Sequence, residues 1–237
     1  MSTPDLIIVA LTVAFAAFVQ GASGLGFALI VAPVLAMLQP DLLPVCVLFL
    51  MLPLNFYVAW RERHAINIRG VAWISLGRFV GTFGGLAVLV VLSAKALSIF
   101  VGASTIAAAV VTWFIPAFTP GVIAFLLAGL ITGVTETATG IGGPPLALTL
   151  QHRPVAEMRS TIAVCFLVGE LISLVFLFFM DKIHASHIQI TLLLLPPLAV
   201  GMFASRFVHS RINARFMRWL VQGFAIVSGV VLLAKAL

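Results

Sequence analysis

The chain has 237 residues, 62% of them hydrophobic and 8% charged, with a mean hydropathy of +1.24. A soluble globular domain is roughly 45–50% apolar and about 25% charged, so that class is excluded and the chain is an integral membrane protein. Thirteen Lys and Arg against seven Asp and Glu give a formal net charge of +6; in a membrane chain this excess marks cytoplasmic loops rather than nucleic-acid binding.

The N-terminus, Met1-Ser2-Thr3-Pro4-Asp5, has no basic stretch before its apolar run, so no cleavable signal is evident. Leu6 to Val19 is apolar and helical in character. It reaches a break, Gln20-Gly21-Ala22-Ser23-Gly24-Leu25-Gly26-Phe27, and a second arm runs on to about Leu38. Each arm is about 15 residues, roughly 22 Å as helix. A bilayer needs roughly 20. The pair is expected to be a re-entrant hairpin or two short, tilted spans meeting at the break. Asp41 to Trp60 is the next apolar segment, followed by a basic loop with Arg61, Arg63, His64 and Arg69. Segments from about Ile68 to Leu92 and from about Ala94 to Ile115 come next. The bend Pro116-Ala117-Phe118-Thr119-Pro120-Gly121 then closes the first half.

The second half repeats the plan. Gly121 to about Thr135 is an outgoing arm that ends in Thr135-Glu136-Thr137-Ala138-Thr139-Gly140-Ile141-Gly142-Gly143-Pro144-Pro145. A short return arm runs to Gln151, and His152, Arg153 and Arg159 form a second basic loop. Spans are expected at about 156–180, 186–205 and 214–236, from apolar runs long enough to cross. Gly24-Leu25-Gly26 matches Gly140-Ile141-Gly142 at an offset of 140 − 24 = 116, and Cys46 matches Cys165 at 165 − 46 = 119. His64-Ala65 matches His184-Ala185 at 184 − 64 = 120. The expected fold is therefore an all-α membrane protein of two inverted-topology repeats, 1–116 and 117–237. Each holds a broken or re-entrant helix pair followed by three transmembrane helices, and the two form one transmembrane domain. Either count of the broken pair gives an odd number of crossings per half, which makes the halves inverted.

Loop charge sets the orientation. Arg61, Arg63, Arg69, Arg153, Arg159, Arg206, Arg211, Arg215 and Arg218 fall on one side, and Lys95, Lys182 and Lys235 with three aspartates on the other. The arginine side is expected in the cytoplasm and both termini outside.

No Walker loop, His-Glu-x-x-His motif or zinc-spaced cysteine cluster is present, which argues against an enzyme and a metal site. The glycines of the first break resemble part of a nucleotide-binding pattern, but no strand precedes them. Each return arm begins at a break, so it presents a helix N-terminus, with free N–H groups and the positive dipole end, to the middle of the protein. Ser23 and Thr139 suit N-cap positions, Pro144 and Pro145 suit a first turn, and the glycines let a ligand approach the backbone. Two such ends converging near the midplane would suit a small oxyanion. The candidate binding residues are Gln20, Gly21, Ala22, Ser23, Gly24, Leu25 and Gly26 from one break and Thr139, Gly140, Ile141, Gly142 and Gly143 from the other, with Asn55 and Arg78. The competing reading is close helix packing or simple kinks.

Arg78 lies about ten residues, roughly 15 Å, inside its segment. An arginine at that depth faces a partner or a wet cavity. It either supplies the site's fixed positive charge, pairs structurally with Glu136 or Glu170, or snorkels. Glu136 and Glu170 are candidate proton-coupling residues, because burial disfavours the ionised carboxylate; charge balance for Arg78 is the other reading. Gly77, Gly81 and Gly85 share a face suited to close helix packing, with Gly201 and Ser205 a fainter version. Trp60, Trp73, Trp113 and Trp219 fit interfacial anchoring. Cys46 and Cys165 fit packing better than sulfur chemistry.

Together these features resemble the TauE/SafE (TSUP) family of sulfite exporters. The resemblance covers nearly the whole chain and rests on Gly21-Ala22-Ser23-Gly24-Leu25-Gly26-Phe27, on Thr139-Gly140-Ile141-Gly142-Gly143-Pro144-Pro145, and on the helices around Gly81 and Gly201 leading into basic turns. It implies transport of a small sulfur-containing anion, such as sulfite, sulfoacetate or another organosulfonate, across the cytoplasmic (inner) membrane without a cofactor. The expectation is a secondary exporter whose partners are that anion, the bilayer and protons, with a homo-oligomer left open. The alternatives are an anion channel, or a membrane scaffold or enzyme.

Overall fold

A computed structural model of the chain describes residues 3–114, 120–150, 153–207 and 214–236. Ten α-helices run through them: α1 Thr3–Ser23, α2 Phe27–Leu38, α3 Val45–Arg61, α4 Ile68–Val91, α5 Ala94–Phe114, α6 Val122–Thr139, α7 Gly143–Leu150, α8 Val155–Phe179, α9 Ala185–Ser205 and α10 Ala214–Ala236. No strand occurs among the described residues. Five helices, α1, α4, α6, α8 and α9, are long and apolar enough to cross a membrane. Most of the bend at Pro116–Gly121, together with Gln151, His152 and Arg211, lies outside the described residues, as do the side chains of Trp113, Arg215, Arg218 and Lys235.

The outgoing arms are longer than their apolar runs suggested. α1 continues helically through Gln20-Gly21-Ala22-Ser23 to 21 residues, and α6 continues through Glu136 to Thr139. The expectation of two arms both too short to span is therefore corrected: only the return arms are short, α2 with 12 residues and α7 with 8. Packing overrides the weak helix propensity of glycine here. A Cβ on Gly21 would overlap the Ser205 hydroxyl of α9, so that glycine serves a close α1–α9 crossing and stays helical.

The long helices pair in a reciprocal way. α4 lies along α6 and α1 along α9, while α3 packs on α8 and α5 on α10. The α4–α6 contact is backbone against backbone. A Cβ on Gly77 or Gly81 would run into the carbonyls of Leu126 and Leu130, and one on Gly129 or Gly133 into those of Ile74 and Arg78. Small residues allow such approach where apolar burial gives helices no reason to associate in lipid. Gly201 stands against Ala14 in the same way, so both predicted small-residue faces are packing faces.

α2 is buried nearly all round, with nine of its residues in the core from Phe27 to Ala36. A helix apolar on every side belongs inside the bundle, and it is enclosed by α1, α5 and α10. At its far end the turn at Pro40–Leu42 meets the start of α9: His187 Nδ1 accepts the His184 N–H at 2.9 Å, and Nε2 faces the Asp41 carbonyl at 2.9 Å. Because that carbonyl only accepts, the imidazole is the neutral form protonated on Nε2. Trp60 and Trp219 are exposed at helix ends, and Arg63 stacks over Trp60 at 4.8 Å. Trp73 instead packs partly buried against the core.

Candidate functional site

The two breaks are built alike. Gly24 ends α1 with φ +85°, and Gly140 ends α6 with φ +81°. Left-handed backbone of this kind is free of cost only for glycine. The Gly24 N–H donates to the Gln20 carbonyl at 2.7 Å, and the Gly140 N–H to the Glu136 carbonyl at 2.7 Å. The Ser23 hydroxyl donates to Val19 O at 2.8 Å and accepts the Leu25 N–H at 3.3 Å. Thr139 donates to Thr135 O at 2.7 Å and accepts the Ile141 N–H at 3.1 Å. Ser23 and Thr139 thus close the outgoing helices and do not cap the return helices. The N-cap of α2 is Gly26, which offers no side chain.

The return helices differ in what they can donate. In α2 the Phe27 N–H is taken by Gln20 Oε1 at 2.9 Å, leaving those of Ala28 and Leu29 outside the helical ladder. In α7, Pro144 and Pro145 fill the first turn and carry no N–H. Its donors are therefore the N–H groups of Gly142 and Gly143 at the mouth of the helix.

The breaks touch. A Cβ placed on Gly143 would lie 3.3 Å from Leu25 Cδ2 and 3.9 Å from Phe166 Cζ of α8. Arg78 stands over the ring of Phe166, its guanidinium carbon 5.5 Å from the ring centroid. Arg78 is 1% exposed and pairs with Glu136 at 2.5 Å. A Cβ on Gly169 would overlap the guanidinium, so this glycine of α8 is the slot that admits it. Glu136 in turn lies against Gly142, where a Cβ would collide with its carboxylate. Beyond the ion pair, Arg78 Nε and Nη1, Glu136 Oε1 and Glu170 Oε2 are buried without a hydrogen-bond partner. In an apolar surrounding such groups are costly unless something polar meets them.

A second set of polar groups enters from α3. Gln20 Nε2 donates to Asn55 Oδ1 at 2.9 Å, and Asn55 Nδ2 donates to Glu170 Oε1 at 2.7 Å. All three side chains are buried. Near them Thr137 and Ser173 share a hydrogen bond at 2.7 Å, and Thr132 donates to Gly142 O at 3.1 Å.

The arginine side reaches the first break directly. Arg61 Nη2 donates to Gly21 O at 3.2 Å and Arg159 Nη1 to Ala22 O at 3.0 Å. Cations there meet the last carbonyls of α1, the negative end of its dipole. Arg159 also grips both oxygens of Glu62, at 3.1 and 2.6 Å, and its stem covers Gly24. At the second break Gly140 rests on Val47 instead.

The structure thus brings Leu25, Gly142, Gly143, Arg78 and Glu136 to one place and puts Gln20, Asn55 and Glu170 on a connected chain beside it. It sets Gly21 and Ala22 in α1, against α9 and Arg159. Phe166, Gly169, Arg159 and Glu62 were not anticipated as site residues. Gly169 next to Glu170 within an apolar span was the available signal; Phe166 gave none, being one phenylalanine of 19.

The family model described as Sulfite exporter TauE/SafE matches residues 9–232, nearly the whole chain. No curated protein and no solved structure matches it.

Proposed function

We propose that this chain, which belongs to the sulfite exporter TauE/SafE family, is a secondary transporter that exports a small sulfur-containing anion such as sulfite, sulfoacetate or another organosulfonate. One observation carries the reading. The two breaks touch at Leu25 and Gly143, beside a buried Arg78 whose Nε and Nη1 have no partner.

The chemistry of an oxyanion fits these groups. The N–H groups of Ala28 and Leu29 on one side and of Gly142 and Gly143 on the other stand at two positive helix ends whose breaks touch, which suits an anion held between them. Arg78 supplies a fork of N–H donors matched to paired oxygens. Phe166 stands beside both Arg78 and the junction of the breaks.

Charge balance supports proton coupling. One cation stands with two buried carboxylates, Glu136 and Glu170, and with both ionised the cluster is negative. An anion is repelled until at least one carboxylate takes a proton. Binding of proton and anion together is therefore the favourable combination.

The reciprocal helix pairs, α4 on α6 and α1 on α9, are what two repeats at 1–116 and 117–237 would give. Inverted repeats place the two tips from opposite faces at one depth. With the arginine side in the cytoplasm, the Arg61–Glu62–Arg159 cluster closes the inner end and both termini lie outside.

The test is a thermal-shift screen of purified protein against sulfite, sulfate, sulfoacetate, taurine and simple carboxylates, since a ligand that binds only the folded state raises its stability. Sulfur oxyanions are expected to raise the melting temperature, and Arg78→Gln to abolish that rise. No response to any anion in the folded wild type would overturn the reading.

A further inference from the structure

Gln20 and Asn55 were candidate ligands, yet their polar atoms are committed to a directed chain. Its direction is fixed at one end by a backbone N–H, which only donates: Phe27 N–H to Gln20 Oε1 at 2.9 Å. The Gln20 amide must then point its NH2 group at Asn55 Oδ1, and Asn55 its NH2 group at Glu170 Oε1. Neither amide can turn over without setting donor against donor, so the orientation of both follows from the fold. The other oxygen of Glu170, Oε2, is buried and unpartnered. A proton can sit there without disturbing the bond from Asn55.

We propose that Gln20 and Asn55 are positioning residues that link the protonation of Glu170 to the N-terminus of α2, and so to anion binding. The link rests on the function proposed above. When Glu170 is ionised, the bond from Asn55 is charge-assisted and strong. Hydrogen bonds in a chain polarise one another, so Gln20 Oε1 holds the Phe27 N–H more firmly. That N–H belongs to the first turn of α2, and a donor held by Gln20 is withdrawn from the anion. When Glu170 Oε2 takes a proton, the chain loses its charged end, and the Phe27 N–H is released toward the ligand. Proton and anion then bind with positive cooperativity, each favouring the other by the same factor.

Two charged groups near Glu170 oppose one another. Glu136 of α6 adds negative charge and Arg78 of α4 positive charge, while Asn55 of α3 is the group that touches it. Cys165, on α8 with Glu170, is buried and uncharged. The relay has no copy at the second break. There the position equivalent to Gln20 is Glu136, at 136 − 20 = 116, and its carboxylate pairs with Arg78 and accepts no N–H from the return helix.

The experiment uses sulfate and methanesulfonate, whose charges do not change near neutral pH, and measures their affinity by melting shift as the pH is lowered. In wild type the affinity is expected to rise by about tenfold, a typical coupling factor. Asn55→Leu cuts the chain while leaving Glu170 in place, and should reduce that rise to what the charges of Glu136 and Glu170 alone produce. Asn55→Asp sets two carboxylates face to face and should lower the melting temperature. Adding Glu170→Gln to it restores every bond, with a carboxylate at position 55 accepting from both neighbours, and should recover both the melting temperature and a pH-dependent affinity. A pH dependence in Asn55→Leu equal to that of wild type would overturn the proposal, as would a double variant no more stable than Asn55→Asp. Wild type that binds neither anion, while sulfite or sulfoacetate does bind, moves the same measurements to sulfoacetate. Wild type that binds no anion overturns the function and the linkage together, and the melting of the double variant still reports the direction of the chain.

Discussion

Gln20 and Glu136 hold the same place in the two breaks and use it differently. Each offers its carbonyl to a left-handed glycine four residues on, at 2.7 Å in both cases. Gln20 then turns its side chain to the first N–H of α2, and Glu136 turns its own to Arg78. One break is thus closed by a neutral amide and the other by an ion pair, so the two tips are alike in backbone and unlike in charge.

The ion pair is the first place to apply pressure. Arg78 and Glu136 are 1% and 0% exposed. Removing one partner of such a pair strands the other, at a cost of about 3–5 kcal/mol. Arg78→Gln and Glu136→Gln should each lower the melting temperature of the detergent-solubilised protein sharply. The double variant, which leaves two amides able to bond, should recover most of the loss. Single variants as stable as wild type would show that the pair does not hold the site together.

Glycines give a graded series. At Gly81 a Cβ meets the backbone of Leu130, and at Gly169 it meets the Arg78 guanidinium. Overpacking of this kind costs about 1–3 kcal/mol, and more where backbone must move. Gly223 has nothing within 4 Å, so Gly223→Ala should gain the propensity difference of about 0.5–1 kcal/mol. The expected order of melting temperatures is Gly223→Ala above wild type above Gly169→Ala and Gly81→Ala. Gly169→Ala should also weaken anion binding, because its Cβ displaces Arg78.

Much of this was legible in the sequence, and the reasons differ by residue. The all-helical membrane fold follows from composition, because a bilayer leaves few ways to satisfy a backbone. Gly24, Gly140 and Arg78 stood out because each is costly in an apolar helix without a reason. The end of α1 did not, since whether Gly21 and Ser23 stay helical depends on α9 and Ser205, far away in the chain. The roles of Gln20 and Asn55 depend likewise on partners up to 115 positions away. Arg159 looked like a topology charge because loop arginines usually are; only the fold puts its stem on Gly24.

His187 is the tie between α9 and the turn after α2. It accepts from His184 and donates to Asp41, and it is 4% exposed. His187→Ala removes two part-buried hydrogen bonds, to the His184 N–H and the Asp41 carbonyl, at about 0.5–1.5 kcal/mol each. The expected result is a lower melting temperature and faster amide exchange at the start of α9, read by hydrogen–deuterium exchange. Unchanged exchange there would mean that the imidazole bonds contribute little.

Arg159 joins three elements at once. It holds Glu62 at the end of α3, the Ala22 carbonyl at the end of α1 and the surface of Gly24, all from near the start of α8. A lysine has a single ammonium and cannot make the paired contact with Glu62 while also reaching Ala22. Arg159→Lys should therefore loosen the first break without removing charge. Ser23 sits at that break and is half-buried, so Ser23→Cys reports on it. Its labelling by a membrane-impermeant maleimide added from the cytoplasmic side should be slow with Arg159 present and faster with Arg159→Lys. Labelling only from the opposite side would reverse the orientation assigned to the arginine face. Equal rates in the two backgrounds would show that Arg159 does not control access to the break.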